Sequence, residues 1–261
     1  MDAAELKRLL ALAIRAAQTP AGMLLDYFSD RTLRVERKGD GSLVSVADRE
    51  AETAIRNVLQ GDSVAAGFDV LGEEFGEKGS KSRYRWLIDP IDGTRSFVNR
   101  IPLFGTIVAL EDRETGKALI GVIHLPTLNR TYSAAQGLGS FCNGRAVSVS
   151  RESDLETSIV ATGDIAQFIS AGCEGMFRAL AGACPYLRGY TDCFGHTLVI
   201  DGSVGAMVDP ALNPWDAAAT QVLVEEAGGR VITRPSRVER KIDALFGAPK
   251  LVEQLVSLLH F

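Results

Sequence analysis

Apolar residues at Leu6, Leu9, Leu10, Ala13, Ile14 and Ala17 recur at three- and four-residue steps, the period of one helical face, and predict an amphipathic helix ending before Pro20. Ala51, Ile55, Val58 and Leu59 predict a second helix, entered from the polar loop Lys38, Gly39, Asp40, Gly41, Ser42 and left through Gly61 and Asp62. Asp48 falls near its start. From Phe68 to Val149 the texture changes to short β-prone runs broken by Gly and Pro: Val70 and Leu71, Tyr84 to Ile88, Thr106 to Leu110, Ile120 to His124, and Thr131 to Ser133. Asn143 and Gly144 are a hairpin turn signal. Beyond about residue 155 strand and helix alternate again: a strand at Ile159 to Ala161, then helices near Glu174 to Ala183, Pro214 to Ala227 and Leu251 to Leu259. The pattern predicts a mixed α/β protein in two closely packed lobes, residues 1–152 and 153–261.

Composition narrows the classes. With 28 Lys and Arg against 33 Asp and Glu the net charge is -5, which disfavours a nucleic-acid partner. Apolar stretches such as Ile107 to Leu110 and Leu119 to Leu125 fall far short of the roughly 20 residues a membrane helix needs. The first residues, mixed in charge, lack the layout of a secretory signal, so a cytoplasmic location without a membrane role is expected. Cys142, Cys173, Cys184 and Cys193 show no paired spacing and are expected to be reduced, buried thiols.

The most unusual segment is Trp86 to Thr94, an apolar strand that ends in Asp89, Pro90, Ile91, Asp92, Gly93 and Thr94. Strand ends are where α/β folds place their sites. Asp89 and Asp92 lie three apart around a Pro-Ile step, so their side chains can converge on one point while the Ile91 carbonyl adds a third hard oxygen, a plausible Mg²⁺ nest. Upstream, Gly72, Glu73 and Glu74 close the run Asp69 to Leu71; if that strand lies beside the one ending at Asp89, Glu73 reaches the same mouth. Asp216 follows Asn213 and Pro214, which read as the cap and first position of a helix. Each feature also has an ordinary explanation: Asp-Pro and Asp-Gly form turns, Glu73 and Glu74 suit a solvated surface, and an acid suits the first turn of a helix. Gly93 allows close approach of backbone to a ligand, the amides that follow can cradle phosphate if they open a helix, and the Thr94 hydroxyl can align a water. Four carboxylates with a phosphate cradle, and no Ser/His/Asp order, point to hard-metal phosphoryl chemistry rather than acyl transfer. No phosphate-loop motif is present, Gly137 to Ser140 lacks the spacing of a dinucleotide fingerprint, and His124, His196 and His260 lack metal-ligand spacing; His196 stands out only for its nearness to Asp192.

Lys38, Asp40, Ser42, Val44, Ser45, Ala47 and Asp48, then Gly72-Glu73-Glu74, then Asp89-Pro90-Ile91-Asp92-Gly93-Thr94, then Trp215-Asp216 with Ala218 and Ala219 followed by Glu225 to Gly229, together resemble the inositol monophosphatase family of Mg²⁺-dependent, lithium-sensitive phosphatases. The one departure among them is Ser45, where the family usually has threonine. The resemblance implies a layered α-β-α-β-α sandwich, with Glu73, Asp89, the Ile91 carbonyl, Asp92 and Asp216 as metal ligands. It further implies Thr94, with Asp48 behind it, as activator of the attacking water, roughly two or three Mg²⁺ ions per site, and a homodimer. Phosphate and substrate would meet Asp92, Gly93, Thr94, Asp192, Asp209 and Asp216. The segments around Gly72 to Gly76, Pro102 to Thr106, Asp192 to His196 and Asp209 to Asp216 look most like the histidinol-phosphate phosphatase branch. Charge points the same way, since Asp192 and Asp209 beside the leaving alcohol suit an ammonium and imidazole better than a neutral polyol. Inositol phosphate or another sugar phosphate is the alternative substrate, because Asp209 can also accept from sugar hydroxyls. A non-catalytic binding protein on the same scaffold is the alternative of another class.

Overall fold

The protein is described by a computed structural model covering residues 1–37, 43–78 and 81–261, so Lys38, Asp40 and Ser42 of the expected entry loop lie outside the described residues. The chain opens with α1 (Ala3–Gln18), whose first turn is capped by the Asp2 carboxylate accepting the Glu5 amide at 2.8 Å. Helix α2 (Ala21–Ser29) follows directly. The sequence pattern ended the helical region at Pro20, but proline is tolerated at a helix start, and here it serves as the cap of α2. A small ribbon, β1 (Val35–Arg37) with β2 (Leu43–Ser45), leads into α3 (Val46–Gln60).

Next come β3 (Asp69–Gly72), β4 (Gly76–Lys78), β5 (Tyr84–Asp92), the short helix α4 (Thr94–Val98), β6 (Gly105–Asp112), β7 (Lys117–Leu125), β8 (Arg130–Ala135), β9 (Ser140–Cys142) and β10 (Arg145–Ala146). These strands form a sheet of order β10-β9-β8-β7-β6-β5-β3-β4, antiparallel except for the parallel pair β3 and β5. The chain then crosses to a second sheet through β11 (Ile159–Thr162), α5 (Ile165–Ser170), α6 (Glu174–Ala183), β12 (Tyr186–Gly189), α7 (Asp192–Ile200), β13 (Ala206–Leu212), α8 (Pro214–Glu226), β14 (Arg230–Pro235), β15 (Ile242–Gly247) and α9 (Pro249–Leu259). Its strand order is β12-β11-β13-β15-β14.

Period-two alternation along the central strands assigns the layers. Trp86 and Ile88, Val108 and Leu110, Ile120 and Val122 face α1 and α3, where they meet Leu9, Leu12, Ile55 and Leu59. Their neighbours Leu87, Ile107, Ala109 and Ile123 face the other way, into a core shared with α7, α8 and the inner side of the second sheet, including Met207 and Phe246. The outer side of that sheet, Val160, Val208 and Leu245, is covered by Phe168, Leu180, Leu251 and Leu255. The order helix, sheet, helix, sheet, helix is the expected layered sandwich.

Helices α7 and α8 occupy the middle layer and touch a sheet on each side, so they show no polar stripe; that is why α7, with Gly195 and Thr197 inside it, escapes a period-based reading. A Cβ on Gly121 would lie 2.5 Å from the Ala219 carbonyl oxygen and 2.8 Å from its Cα, so that glycine lets α8 settle against β7. The expected burial of the cysteines holds for Cys173, Cys184 and Cys193, whereas Cys142 is half-buried, because β9 lies near the sheet edge; all four are free thiols. Among the described residues no helix is long and apolar enough to cross a membrane.

The β7–α8 approach makes a direct prediction. Gly121→Ala should destabilise the protein by about 1–3 kcal/mol, an overpacking cost, measured by denaturant unfolding; an unchanged midpoint would show that α8 shifts freely.

Candidate metal and phosphate site

The strand β5 does not stop at Ile88 but runs on to Asp92, and its pairing with β6 shifts register between Asp89 and Asp92. The irregularity turns both carboxylates toward one mouth. Gly93 follows at φ +86°, a left-handed conformation suited to glycine, and starts α4. On the second sheet β13 has a matching irregularity between Asp209 and Leu212, with Ala211 at φ +59°, just before Asn213 leads into α8 and Asp216. Two sheets therefore each break register where they face one another across the site.

One oxygen each from Asp89, Asp92 and Asp216 lies within 4.8 Å of the others. Backbone amides hold them there against their own repulsion: Ile91 N–H donates to Asp89 Oδ1 at 3.0 Å, Asn213 N–H to Asp216 Oδ2 at 2.8 Å, and Cys193 N–H to Asp92 Oδ2. Glu73 lies at the end of β3 beside β5, as expected, hydrogen-bonds Asp89 and lines the same cleft. Burial pushes the Asp89 and Asp92 carboxyls well up from the ordinary carboxylate range, reinforced at Asp89 by Glu73 and at Asp92 by Asp192. Burial likewise raises Asp216 to about 7. A buried all-oxygen cluster whose anions repel one another is a donor set suited to a hard divalent cation.

Thr94 lines this cleft, but its hydroxyl donates to the Ile91 carbonyl at 3.0 Å. Asp48 sits at the start of α3 with its Oδ2 accepting from the Ser45 amide at 2.7 Å and the Ser45 hydroxyl at 2.8 Å. Burial raises its pKa, and the charge of Glu73 adds to the effect. The structure thus brings Asp48 near the acidic cluster without recording a hydrogen bond between Thr94 and Asp48.

The cleft, about 600 Å³, continues past the cluster to Asp164, Asp192, Asp209, His196 and Gln167, with Arg95 and Lys241 also on its wall. Asp192, at φ +59°, accepts from the Thr191 hydroxyl at 2.9 Å. His196 is buried; its Nε2 bonds Asp209 Oδ2 at 3.0 Å and its Nδ1 bonds Thr220 Oγ1 at 2.7 Å. The second oxygen of Asp209, Oδ1, is buried without a hydrogen-bond partner. A Cβ on Gly163 would lie 1.9 Å from it, so only glycine leaves room for this carboxylate. His196 acts electrostatically on Asp192, as their nearness in sequence suggests, but its hydrogen-bond partner is Asp209, from a strand that begins ten residues further on. Thr220, which bonds His196, and Asp164, Gln167 and Lys241 on the cleft wall carry no sequence signal, since nothing in their local pattern marks these positions.

The raised carboxyls fix a pH dependence. Between the ordinary carboxylate range and about pH 7 the folded, metal-free protein holds a proton on Asp216 that the unfolded chain has lost, so stability falls as pH rises through that window. The lowered carboxyls Asp30, Asp62 and Asp112 act below it. Metal-free protein should therefore melt at a lower temperature at pH 8 than at pH 5.5, and Mg²⁺ should restore most of the loss at pH 8. A melting temperature that rises with pH in chelator would contradict the assignment.

Comparison with known proteins places the chain in a group. A model of the family described as "Inositol monophosphatase family" matches residues 5–259. A histidinol-phosphatase of Chlorobaculum parvum is 41% identical over 84% of this chain and 83% of its own length. A fructose-1,6-bisphosphatase/inositol-1-monophosphatase of Aquifex aeolicus is 30% identical over 86% and 85%. The crystal structure of the extragenic suppressor protein suhB from Bartonella henselae superposes with a TM-score of 0.87 at 31% identity, covering 97% of this chain and 98% of that one. With the acidic cluster, the layered fold and these matches together, the chain belongs to the inositol monophosphatase family and is a phosphatase of small-molecule phosphate monoesters.

Proposed function

We propose that this phosphatase hydrolyses a monoester whose alcohol carries positive charge, L-histidinol phosphate foremost, releasing L-histidinol and phosphate. The observation that carries the reading is the acidic stretch of the cleft, where Asp164, Asp192 and Asp209 line the wall. Acids whose charges act on one another favour a substrate ammonium or imidazolium over a neutral alcohol, which leaves that charge unbalanced. The histidinol-phosphatase of Chlorobaculum parvum, at 41% identity, supports the same choice.

Glu73, Asp89, the Ile91 carbonyl, Asp92 and Asp216 would hold the cation. Mg²⁺ there would supply Lewis-acid polarisation of the phosphate and lower the pKa of a bound water. Gly93 and Thr94 line the cleft at the start of α4, where no side chain caps the helix, and their backbone amides would donate to phosphate oxygens. Thr94 Oγ1 would orient the attacking water, giving up its present bond to the Ile91 carbonyl, with Asp48 behind it as the proton acceptor. Asp48 is suited to that role because burial and the neighbouring Glu73 both make its carboxyl more basic than an ordinary one. Asp192 and Asp209 would hold the leaving alcohol in line by its cationic groups.

Asp92→Asn, which keeps shape but removes a ligand charge, should lower kcat/KM by about two orders of magnitude or more with the circular dichroism spectrum unchanged; near-normal turnover at saturating Mg²⁺ would remove Asp92 from the cluster's chemistry. Phosphate release from histidinol phosphate and inositol 1-phosphate, compared by kcat/KM, tests the substrate. The wild type should favour histidinol phosphate, and Asp209→Asn should erase most of that preference while leaving inositol 1-phosphate turnover little changed. A preference for inositol 1-phosphate would keep the metal chemistry and discard the charge argument; no release from either would favour a binding role on this scaffold.

A further inference from the structure

Asp48, Glu52 and Arg56 follow one another at four-residue steps along α3, on one face of the helix. Asp48 bonds Ser45 at the helix start and feels the charge of Glu73, but Glu52 and Arg56 form a buried ion pair, Arg56 Nε to Glu52 Oε1 at 2.7 Å, with Glu52 fully buried and Arg56 nearly so. Such pairs are weak evidence for stability, because desolvation offsets most of the attraction. Their partners explain what this one does.

Glu52 Oε2 accepts the Glu74 amide at 2.7 Å, Oε1 accepts the Phe75 amide at 3.4 Å, and Arg56 NH2 donates to the Gly76 carbonyl at 2.7 Å. Three successive backbone groups of the turn between β3 and β4 are thus satisfied by one ion pair on another element. On the other side of the turn the Glu73 amide donates to the Ile88 carbonyl at 3.2 Å. Gly72 makes the arrangement fit: a Cβ there would lie 2.0 Å from Glu52 Oε1.

We propose that Glu52 and Arg56 are positioning residues that pin the Glu73 turn, and that the affinity of the acidic site for a divalent cation depends on them. The inference rests on Glu73 being a cation ligand. Glu52, engaged with the Glu74 and Phe75 amides, would act through the backbone from which Glu73 reaches Asp89, as outer partners of metal ligands do.

The test is direct Mn²⁺ binding to the full chain, read by electron paramagnetic resonance of free Mn²⁺ rather than by turnover. Glu52→Gln, which keeps shape and loses charge, should weaken Mn²⁺ binding about 10- to 100-fold. Gly72→Ala, which crowds Glu52 without removing its charge, should do the same and serves if Glu52→Gln fails to fold. A double-mutant cycle separates positioning from general loosening: in a Glu73→Gln background, Glu52→Gln should cost little more, because the residue it positions is already lost as a ligand. Wild-type Mn²⁺ affinity in both folded variants, or fully additive losses in the cycle, would overturn the proposal. If Glu73→Gln alone leaves Mn²⁺ binding unchanged, the ligand reading of Glu73 fails, and the proposal with it.

Discussion

Everything about this site follows from carboxylates held closer together than their charges favour. Asp89 and Asp92 come from β5 in the first sheet and Asp216 from α8 in the middle layer, yet they present oxygens within 4.8 Å of one another. Burial takes the carboxyls out of water and their repulsion adds to it, so they hold their protons well above the usual range. What opposes it is backbone: the amides of Ile91, Cys193 and Asn213 each hold one carboxylate, and their positions are fixed by the register irregularities in β5 and β13 and by the start of α8. Strain of this kind persists only when the surrounding structure over-determines it.

The sandwich provides that constraint. Middle-layer helices α7 and α8 are packed from both sides, so their N-termini, which deliver Cys193 N–H and Asp216, have little freedom to relax. Gly121 and Gly195 show how tightly: a Cβ on Gly195 would lie 1.8 Å from the Tyr190 carbonyl oxygen. On the opposite side the Glu73 turn is pinned by Glu52 and Arg56 from α3. Each layer thus contributes one constraint to a site that none of them forms alone.

Much of this was legible in the chain. The strands of the first sheet alternate cleanly because each face meets a different core, and Asp89 to Thr94 is unusual enough in composition to mark itself. The middle layer was harder: α7 is buried on all sides, and burial without a polar face erases the period that identifies a helix. The α2 helix was hidden by Pro20, which reads as a stop although it also begins helices. Side-chain partnerships between distant elements were least visible. His196 with Asp209 and Thr220, and Glu52 with the Glu74 amide, join residues 13 to 24 positions apart, and no local pattern encodes that meeting. Glu52 was readable only as one more acid on an amphipathic helix; its step of four from Asp48 was the available signal.

The central claim is that buried carboxyls, whose pKa values are raised by burial and by one another's charge, are the seat of a divalent cation. Calorimetric titration of Mg²⁺ into metal-free protein, repeated in buffers of different ionisation enthalpy, measures it directly by counting protons released on binding. The account predicts proton release that is clear at pH 6.5 and smaller at pH 8.5, as Asp216 empties on its own. Binding whose heat is the same in every buffer at pH 6.5 would mean that the cation sits elsewhere, or on carboxylates already ionised, and would contradict the account.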